Sequence, residues 1–271
     1  MEPGIYPGFD EETYHADPAI SVSKLKLFSE APAKTLVKRA ETRSLAFGSL
    51  LHTIFLEPHL VERRYFITNL TRISEREKAT QAEMEKAGGR TLVKRSEYDE
   101  ALAMYQAVLA QPVARDLLPL IGTAACQTEV SFWWKCPRTG LMRRGRTDAK
   151  IEVGNSLFLL DLKSTVDASP EGFAKACGTY SYHWQAVSYL DGWEAATGRR
   201  PEDMVFLAVE KEPPYLVGPY TIAHDDLLTG REQVMQALEG WAECERTGEW
   251  PGYTNTLETL NLPTWALRTA T

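Results

Sequence analysis

The chain has 271 residues, of which 44% are hydrophobic and 25% are charged, so it can bury a sizeable core as a soluble globular protein. It contains no run of about 18 apolar residues, so we expect no membrane-spanning helix and no membrane partner. The first 20 residues lack the basic stretch and apolar stretch of a secretory signal, and we expect a cytoplasmic protein. The net charge of −7 excludes a chain that is basic over its whole surface.

The charge is distributed unevenly along the chain. Residues 201–271 carry 12 acidic and 4 basic side chains, whereas residues 1–200 carry 25 acidic and 26 basic ones. The densest basic stretch consists of Arg138, Arg143, Arg144, Arg146 and Lys150. A local positive surface can bind phosphates on an acidic protein, but these cations could equally form the solvated face of a strand.

The first part of the chain, residues 1–122, is expected to be mainly helical after an ordered arm formed by residues 1–20. The apolar periodicity, the capping residue Ser21 and the prolines set the helix boundaries. The predicted helices cover residues 21–40 with a break at Ala31–Pro32, residues 45–57, and a helical region over residues 73–120 that is interrupted at Gly88–Gly89.

The second part, residues 123–250, changes to strands rich in β-branched and aromatic residues. Three strands in an antiparallel meander are predicted at residues 127–135, 141–153 and 155–164. After them we expect a helix from about Pro170, a helix over residues 181–197, strands at residues 204–210 and 215–222, a helix over residues 224–248, and a tail over residues 251–271. This order predicts an α/β protein with one central mixed sheet flanked by helices, within a single domain.

Acidic and basic side chains alternate on two neighbouring predicted strands. In residues 141–153, strand alternation places Arg144, Arg146, Asp148 and Lys150 on one face. In the next strand, Asp161 and Lys163 share a face and Leu162 lies opposite. A buried Asp and Lys are costly without partners. Two carboxylates on adjacent strands suit Mg²⁺, and a nearby lysine can orient a water molecule. A structural Asp161–Lys163 salt bridge is the alternative.

Four cysteines stand at Cys126, Cys136, Cys177 and Cys244. None belongs to a CxxC pair, which argues against a zinc knuckle and gives little support to disulfides. Reduced and mostly buried thiols are expected.

Trp133, Trp134 and Trp184 are expected in the core or on a sheet face, with a base-stacking wedge as the rarer alternative.

Several segments together resemble a known family. RGRTDAKI followed by LFLLDLKST is similar to the core of the PD-(D/E)xK nuclease superfamily, with Asp148 as the first carboxylate and Asp161–Leu162–Lys163 as the (D/E)xK element. YHWQAVSYL places Gln185 and Tyr189 in the QxxxY motif of the branch that contains RecB-type and lambda-type exonucleases. GSLLHTIFLEP resembles the GxxxHxxxLEP signature of RecE-like exonucleases, and the opening YHADPAISVSKLKLFSEAPAK resembles the start of that nuclease domain. The resemblance runs from about Tyr14 to Tyr253, although Thr147 stands where the motif has Pro.

The resemblance implies a restriction-endonuclease-like core that binds two Mg²⁺ ions, for which Mn²⁺ substitutes. Asp148 would bind both ions, Asp161 and the Leu162 carbonyl one of them, and His52 the other, while Lys163 would hold the attacking water. Glu129 in TEVSF matches an acidic residue of the first core strand. Glu129, Gln185 and Tyr189 would complete the catalytic set.

The alternatives are a core position for His52, an exposed strand position for Glu129, and helix packing for Gln185 and Tyr189. Some related nucleases hold an iron–sulfur cluster on four cysteines, but their clustered spacing is absent here.

The resemblance also implies a substrate and partners. The expected activity is 5′→3′ digestion of one strand of linear double-stranded DNA, leaving 3′ tails for a single-strand annealing protein in phage-style recombination. A ring-shaped homo-oligomer is expected. The expected DNA contacts are Arg144, Arg146, Ser21, Ser23 and Lys24. A restriction-like or repair endonuclease and a non-catalytic DNA-binding module remain the alternatives.

Overall fold

The computed structural model describes residues 1–37, 43–74, 76–117, 123, 125–263 and 267. The strands are β1 (Gly4–Tyr6), β2 (Tyr65–Thr68), β3 (Thr91–Lys94), β4 (Cys126–Lys135), β5 (Met142–Val153), β6 (Ser156–Thr165), β7 (Asp203–Glu210) and β8 (Val217–Tyr220). The α-helices are α1 (Glu11–Ala16), α2 (Val22–Glu30), α3 (Arg43–Leu56), α4 (Val61–Arg64), α5 (Lys78–Ala87), α6 (Arg95–Ala110), α7 (Pro112–Leu117), α8 (Pro170–Thr179), α9 (Tyr182–Thr197) and α10 (His224–Thr247). Short 3₁₀ helices cover Pro32–Leu36 and Pro58–Leu60.

Six strands form the main sheet in the order β1-β4-β5-β6-β7-β8. The β4–β5–β6 meander is antiparallel, as predicted, while β6 and β7 run parallel because α8 and α9 form a crossover between them. The sheet is therefore mixed and the α/β class is confirmed. A second sheet of two parallel strands, β2 and β3, lies in the first part of the chain.

Hydrophobic clusters cover both faces of the main sheet. On the face that we call the α9 side, Phe132, Leu159 and Phe206 pack with residues of α2, α8, α9 and α10. On the opposite face, the α3 side, Leu160 and Leu162 pack with residues of α3 and α6. Trp133, Trp134 and Trp184 are all buried, which confirms their structural assignment. Both core layers thus hold the central strands rigidly, which fixes the side chains that they carry.

The first part of the chain is less helical than predicted. The region over residues 73–120 contains β3, because the left-handed Gly88 (φ +60°) ends α5 and the β-branched segment Thr91–Lys94 then pairs with β2. The predicted arm over residues 1–20 is ordered: β1 pairs with β4, and Asp17 accepts a hydrogen bond from the indole of Trp133 at 3.1 Å. Parts of the predicted helices, residues 38–40, 75 and 118–120, lie outside the described residues.

The four cysteines are free and buried, as expected. Cys126 packs on the α3 side, whereas Cys136, Cys177 and Cys244 pack on the α9 side. The sheet therefore separates them, and they do not form a four-cysteine cluster site. Within the part of the chain that the structure describes, no helix combines the length and apolarity needed to cross a membrane.

Candidate active site

The carboxyl-terminal half of β6 carries a buried carboxylate and a lysine on the α9 side. Asp161 is 3% exposed, and its Oδ2 lies 2.5 Å from Nζ of Lys163. The neighbours Leu160 and Leu162 point to the α3 side, so strand alternation holds in β6 as predicted. The Asp161–Lys163 salt bridge is therefore present. It is compatible with a catalytic role of the two residues and with a structural one.

Strand alternation breaks at Asp148 and Glu129, which lie across from each other on β5 and β4. Gly145 faces Phe132 on the α9 side, but Ala149 packs on the α3 side, although both positions are odd-numbered. In β4, Glu129 adopts the left-handed region (φ +50°), a conformation that costs about 1–3 kcal/mol in a residue with a side chain. The prediction that Lys150 shares a face with Arg144 and Arg146 is therefore wrong: Lys150 pairs with Leu159 of the α9 side and binds Glu152.

Asp148 and Glu129 lie beside His52, which projects from α3. Ligand atoms of His52, Glu129 and Asp148 all lie within 4.8 Å of one another, and Nδ1 of His52 is 3.4 Å from Oδ1 of Asp148. The other oxygen of Asp148 accepts a hydrogen bond from the backbone N–H of Leu162 at 2.6 Å. An imidazole and two carboxylates at this spacing are donors that suit a divalent cation. His52 thus lies in a candidate metal site, and its role as a ligand stays a prediction.

The ionisation of these groups reflects their crowding. Burial opposes protonation of His52, but the Asp148 carboxylate raises the His52 pKa to about 9. Burial, followed by the charge of Asp148, raises the pKa of Glu129 to about 8. Burial works against the Asp148 carboxylate, yet His52 lowers the Asp148 pKa. Without a metal ion, protons therefore balance the carboxylates of this cluster near neutral pH.

Burial also raises the pKa of Asp161, and the Lys163 ammonium offsets only part of that effect. For Lys163 burial acts in the opposite direction, but the carboxylate of Asp161 raises the Lys163 pKa and keeps the amine charged. Asp161 and Lys163 thus form a close ionic pair beside the His52 cluster.

One face of α9 supports the two carboxylate strands. Gln185 donates a hydrogen bond from Nε2 to Oδ1 of Asp161 at 2.5 Å. Tyr189, one turn further, lies against Phe132 and accepts a hydrogen bond from the backbone N–H of Arg146. Gln185 therefore orients a site carboxylate directly, whereas Tyr189 holds the backbone of β5 just before Asp148. These contacts are compatible with the positioning role expected from the motif resemblance and with helix packing, and the positioning role stays a prediction.

Arg144 and Arg146 lie under the amino-terminal segment. Their guanidinium groups are 4.6 Å and 4.5 Å from the ring of Tyr14. Arg144 donates to the backbone oxygen of His15 at 3.3 Å, and Arg146 donates to that of Phe9 at 2.6 Å. Arg144 is buried, so the predicted exposed or solvated face does not describe it. Arg146 is half-buried and lines the cleft beside His52, so its contact with a phosphate stays a prediction.

The predicted DNA contacts on α2 occupy three different environments. The hydroxyl of Ser21 caps the helix by accepting from the Lys24 backbone N–H at 3.2 Å, and Ser23 is exposed. Nζ of Lys24 lies 5.2 Å from the centre of the Trp241 ring. Their contact with DNA stays a prediction.

A cleft of about 1140 Å³ opens beside His52 and Glu129. Arg146 and Arg64 line it together with Tyr65. Its acidic lining residues are Asp10, Glu11, Glu12, Glu57 and Glu129. His52 and Glu129 are therefore reachable from solvent on the α3 side, next to the buried Asp148.

Two side chains beside Lys163 were not predicted from the sequence. Nζ of Lys163 lies 4.8 Å from the ring centre of Tyr182, and Nζ of Lys26 lies 5.4 Å from the same ring centre. No motif distinguishes Lys26 from other surface lysines. Tyr182 stands three residues before Gln185 and so on the same helix face, which is a signal that could have pointed to it.

Comparisons with known proteins bear on the family and the fold of the chain. The profile of the PDDEXK-like domain of unknown function (DUF3799) matches residues 21–263. No curated protein matches the chain in sequence.

Among solved structures, a protein from Eubacterium rectale that bears the provisional name exonuclease has a TM-score of 0.60 at 12% identity, over 96% of this chain and 97% of its own. An alkaline exonuclease from Laribacter hongkongensis is 15% identical over 65% of this chain and 87% of its own, but its TM-score of 0.25 is too low to support an argument. The first structure shows the shared fold, and the profile match shows the family: the chain belongs to the PDDEXK-like family DUF3799.

Proposed function

We propose that the protein is a metal-dependent DNA nuclease whose active site is built from Asp148, Asp161 and Lys163. The convergence of His52, Glu129 and Asp148 within 4.8 Å, directly beside the Asp161–Lys163 pair, is the observation that carries this proposal. A salt bridge that only stabilised the fold would need no second carboxylate cluster, and burying these charges together is costly unless function requires them.

The donor set fits Mg²⁺ or Mn²⁺. Hard divalent cations prefer oxygen ligands and accept imidazole less readily, so Asp148 and Glu129 would contribute most and His52 would add one nitrogen. Asp148 contacts both His52 and the Leu162 backbone N–H, and it would help to hold both ions. Asp161 and the Leu162 carbonyl remain the proposed ligands of the second ion. Bound cations would neutralise the substrate phosphate and lower the pKa of water.

The side chains of the chain itself would orient the reactants. Lys163 is charged and close to Asp161, so it can hold a water molecule in line with a phosphate and stabilise negative charge that develops there. Gln185 fixes the orientation of the Asp161 carboxylate through its 2.5 Å hydrogen bond. The reaction would be hydrolysis of a phosphodiester bond.

Within this activity we favour an exonuclease that digests linear double-stranded DNA 5′→3′. The His52 and Gln185–Tyr189 motifs support this choice by their resemblance to RecE-like exonucleases, and so does the provisional exonuclease name of the similarly folded Eubacterium rectale protein. The 3′ tails would serve a single-strand annealing protein in recombination. A ring-shaped homo-oligomer around DNA would place the acidic carboxyl-terminal helix outside and would explain how an acidic chain holds its substrate.

Substrate form tests this choice against the alternatives. With Mg²⁺, the protein is expected to release nucleotides from linear duplex DNA and to leave covalently closed circles intact. Efficient cutting of closed circles would favour a restriction-like or repair endonuclease on the same site. Binding of DNA without any cleavage in Mg²⁺ or Mn²⁺ would favour a non-catalytic module.

A further inference from the structure

A cluster of aromatic rings and lysines lies on the α9 side of Asp161, opposite the cleft that reaches His52. Tyr180, in the turn between α8 and α9, stacks on Tyr182 with ring centres 5.7 Å apart, and Tyr182 stacks on Phe206 at 5.8 Å. Phe206 is fully buried, whereas Tyr180 is 59% exposed. The stack therefore anchors an exposed ring to the core next to the candidate active site.

Lys26 adds a second cation to the one that Lys163 provides. Its ammonium contacts the Tyr180 backbone oxygen at 2.5 Å and lies near the same Tyr182 ring as Lys163. Among the ion pairs of the described residues, none joins Lys26 to a carboxylate. Burial, followed by the positive charge of Lys163, lowers the pKa of Lys26 to about 8, and the Asp161 carboxylate offsets only part of that effect. An anion bound there would relieve the repulsion between the two lysines.

We propose that Lys26 and Tyr180 form a nucleotide subsite that flanks the scissile phosphate, an inference that rests on the proposed nuclease function. The Lys26 ammonium would bind the phosphate next to the one that Lys163 serves. The exposed face of Tyr180 would stack on the adjacent base, a contact that tolerates any sequence. An enzyme that degrades DNA of arbitrary sequence needs this kind of recognition.

A purely structural role for Lys26 predicts different results. Tyr180 caps the carboxyl end of α8, and a lysine can stabilise a helix end through its carbonyl groups and dipole. Such a lysine would affect the free energy of unfolding, but it would not change how DNA binding depends on salt.

The test measures binding of a fluorescein-labelled duplex with a single-stranded end, in EDTA so that no turnover occurs, across a salt series. Lys26→Gln is expected to weaken binding about tenfold and to reduce the salt slope by about 1, because one phosphate contact is lost. Lys26→Arg should retain most of the affinity, and Tyr180→Ala should weaken binding about fivefold or more through lost stacking.

Lys34→Gln is the matched control. Lys34 also lies over a tyrosine ring, that of Tyr253, and its ammonium pairs with Glu30 at the end of α2. This variant should bind as the unaltered protein does. If Lys26→Gln and Tyr180→Ala leave both affinity and salt slope unchanged while only the melting temperature falls, the subsite is overturned. If the unaltered protein binds DNA in a Lys26-dependent way but hydrolyses nothing with Mg²⁺ or Mn²⁺, the nuclease function fails and the subsite stands. If it binds no DNA, both proposals fail.

Discussion

The two sides of the candidate active site balance their charges differently. On the side of Asp161, a lysine and a glutamine amide satisfy the carboxylate at 2.5 Å each. On the side of Asp148, a second carboxylate and a histidine lie close by, and the pKa values of His52 and Glu129 rise to about 9 and about 8. Lys163 and Gln185 balance the charge of Asp161. On the Asp148 side, protons on His52 and Glu129 balance the carboxylates, and a bound cation could replace those protons.

This difference suggests a division of labour. The Asp148 side has the open donor set and the cleft, so it suits cation binding, while the Asp161 side has the fixed lysine that a hydrolytic reaction needs. Asp148 joins the two sides because it contacts both His52 and the Leu162 backbone N–H on β6. Changes at Asp148 should therefore have larger consequences than changes at residues that serve only one side.

The largest effect is expected for Asp148→Asn. Removing the charge weakens cation binding and leaves His52 without its ion partner, so nuclease activity should fall by about 10³-fold or more. Circular dichroism checks that the fold is retained, and calorimetric titration with Mn²⁺ should show weaker binding. Full activity with normal Mn²⁺ affinity would remove Asp148 from the site.

Lys163→Ala tests the Asp161 side alone. We expect kcat to fall by about 10²–10³-fold because a charged group that stabilises developing negative charge is lost. Mn²⁺ affinity should change little or increase, since a competing cation beside Asp161 disappears. A variant that loses metal binding but retains kcat would contradict the division between the two sides.

Gln185→Ala should reduce kcat/KM by about 10–100-fold, as expected when a group that orients a metal-site carboxylate is removed. Gln233→Ala is the matched control, because Gln233 of α10 also bonds to α9, through the indole of Trp184, but it does not contact Asp161. Equal losses in the two variants would mean that Gln185 acts on helix packing and not on Asp161.

The last prediction concerns pH. Protonation of His52 below about pH 9 and of Glu129 below about pH 8 competes with cation binding. Mn²⁺ affinity should therefore fall as pH decreases through this range, by about tenfold per pH unit for each proton displaced. Asp148 and Lys163 lie close to these groups, and the lowered pKa of Asp148 and the raised pKa of Lys163 keep their charges fixed over this range. An affinity that does not depend on pH would exclude both residues as ligands.

Regular strands made part of the site predictable from the sequence. Asp161 and Lys163 occupy alternate positions of an apolar strand, so their shared face followed directly from the period of two. The predicted contact between His52 and Asp148 came from the motif resemblance, since nothing in the composition of α3 distinguishes a ligand from a core histidine. Long helices such as α9 and α10 were predicted within about two residues at their ends.

Local breaks and long-range contacts could not be predicted in the same way. The positive φ of Glu129 has no sequence signal, because glutamate rarely adopts it. It lies where β4 changes sides, between Cys126 on the α3 side and Val130 on the α9 side. The cover over Arg144 and Arg146 depends on where residues 1–20 pack, and the contact of Lys26 with the Tyr180 carbonyl joins residues 154 positions apart. Such contacts arise from the tertiary fold.

The most direct test compares nucleotide release from linear duplex DNA by the unaltered protein and by Asp161→Ala. The account predicts release that requires Mg²⁺ or Mn²⁺, stops on addition of EDTA and is lost in the variant. Equal activity of Asp161→Ala, or release that persists in EDTA, would contradict the assignment of Asp148, Asp161 and Lys163 as the active site.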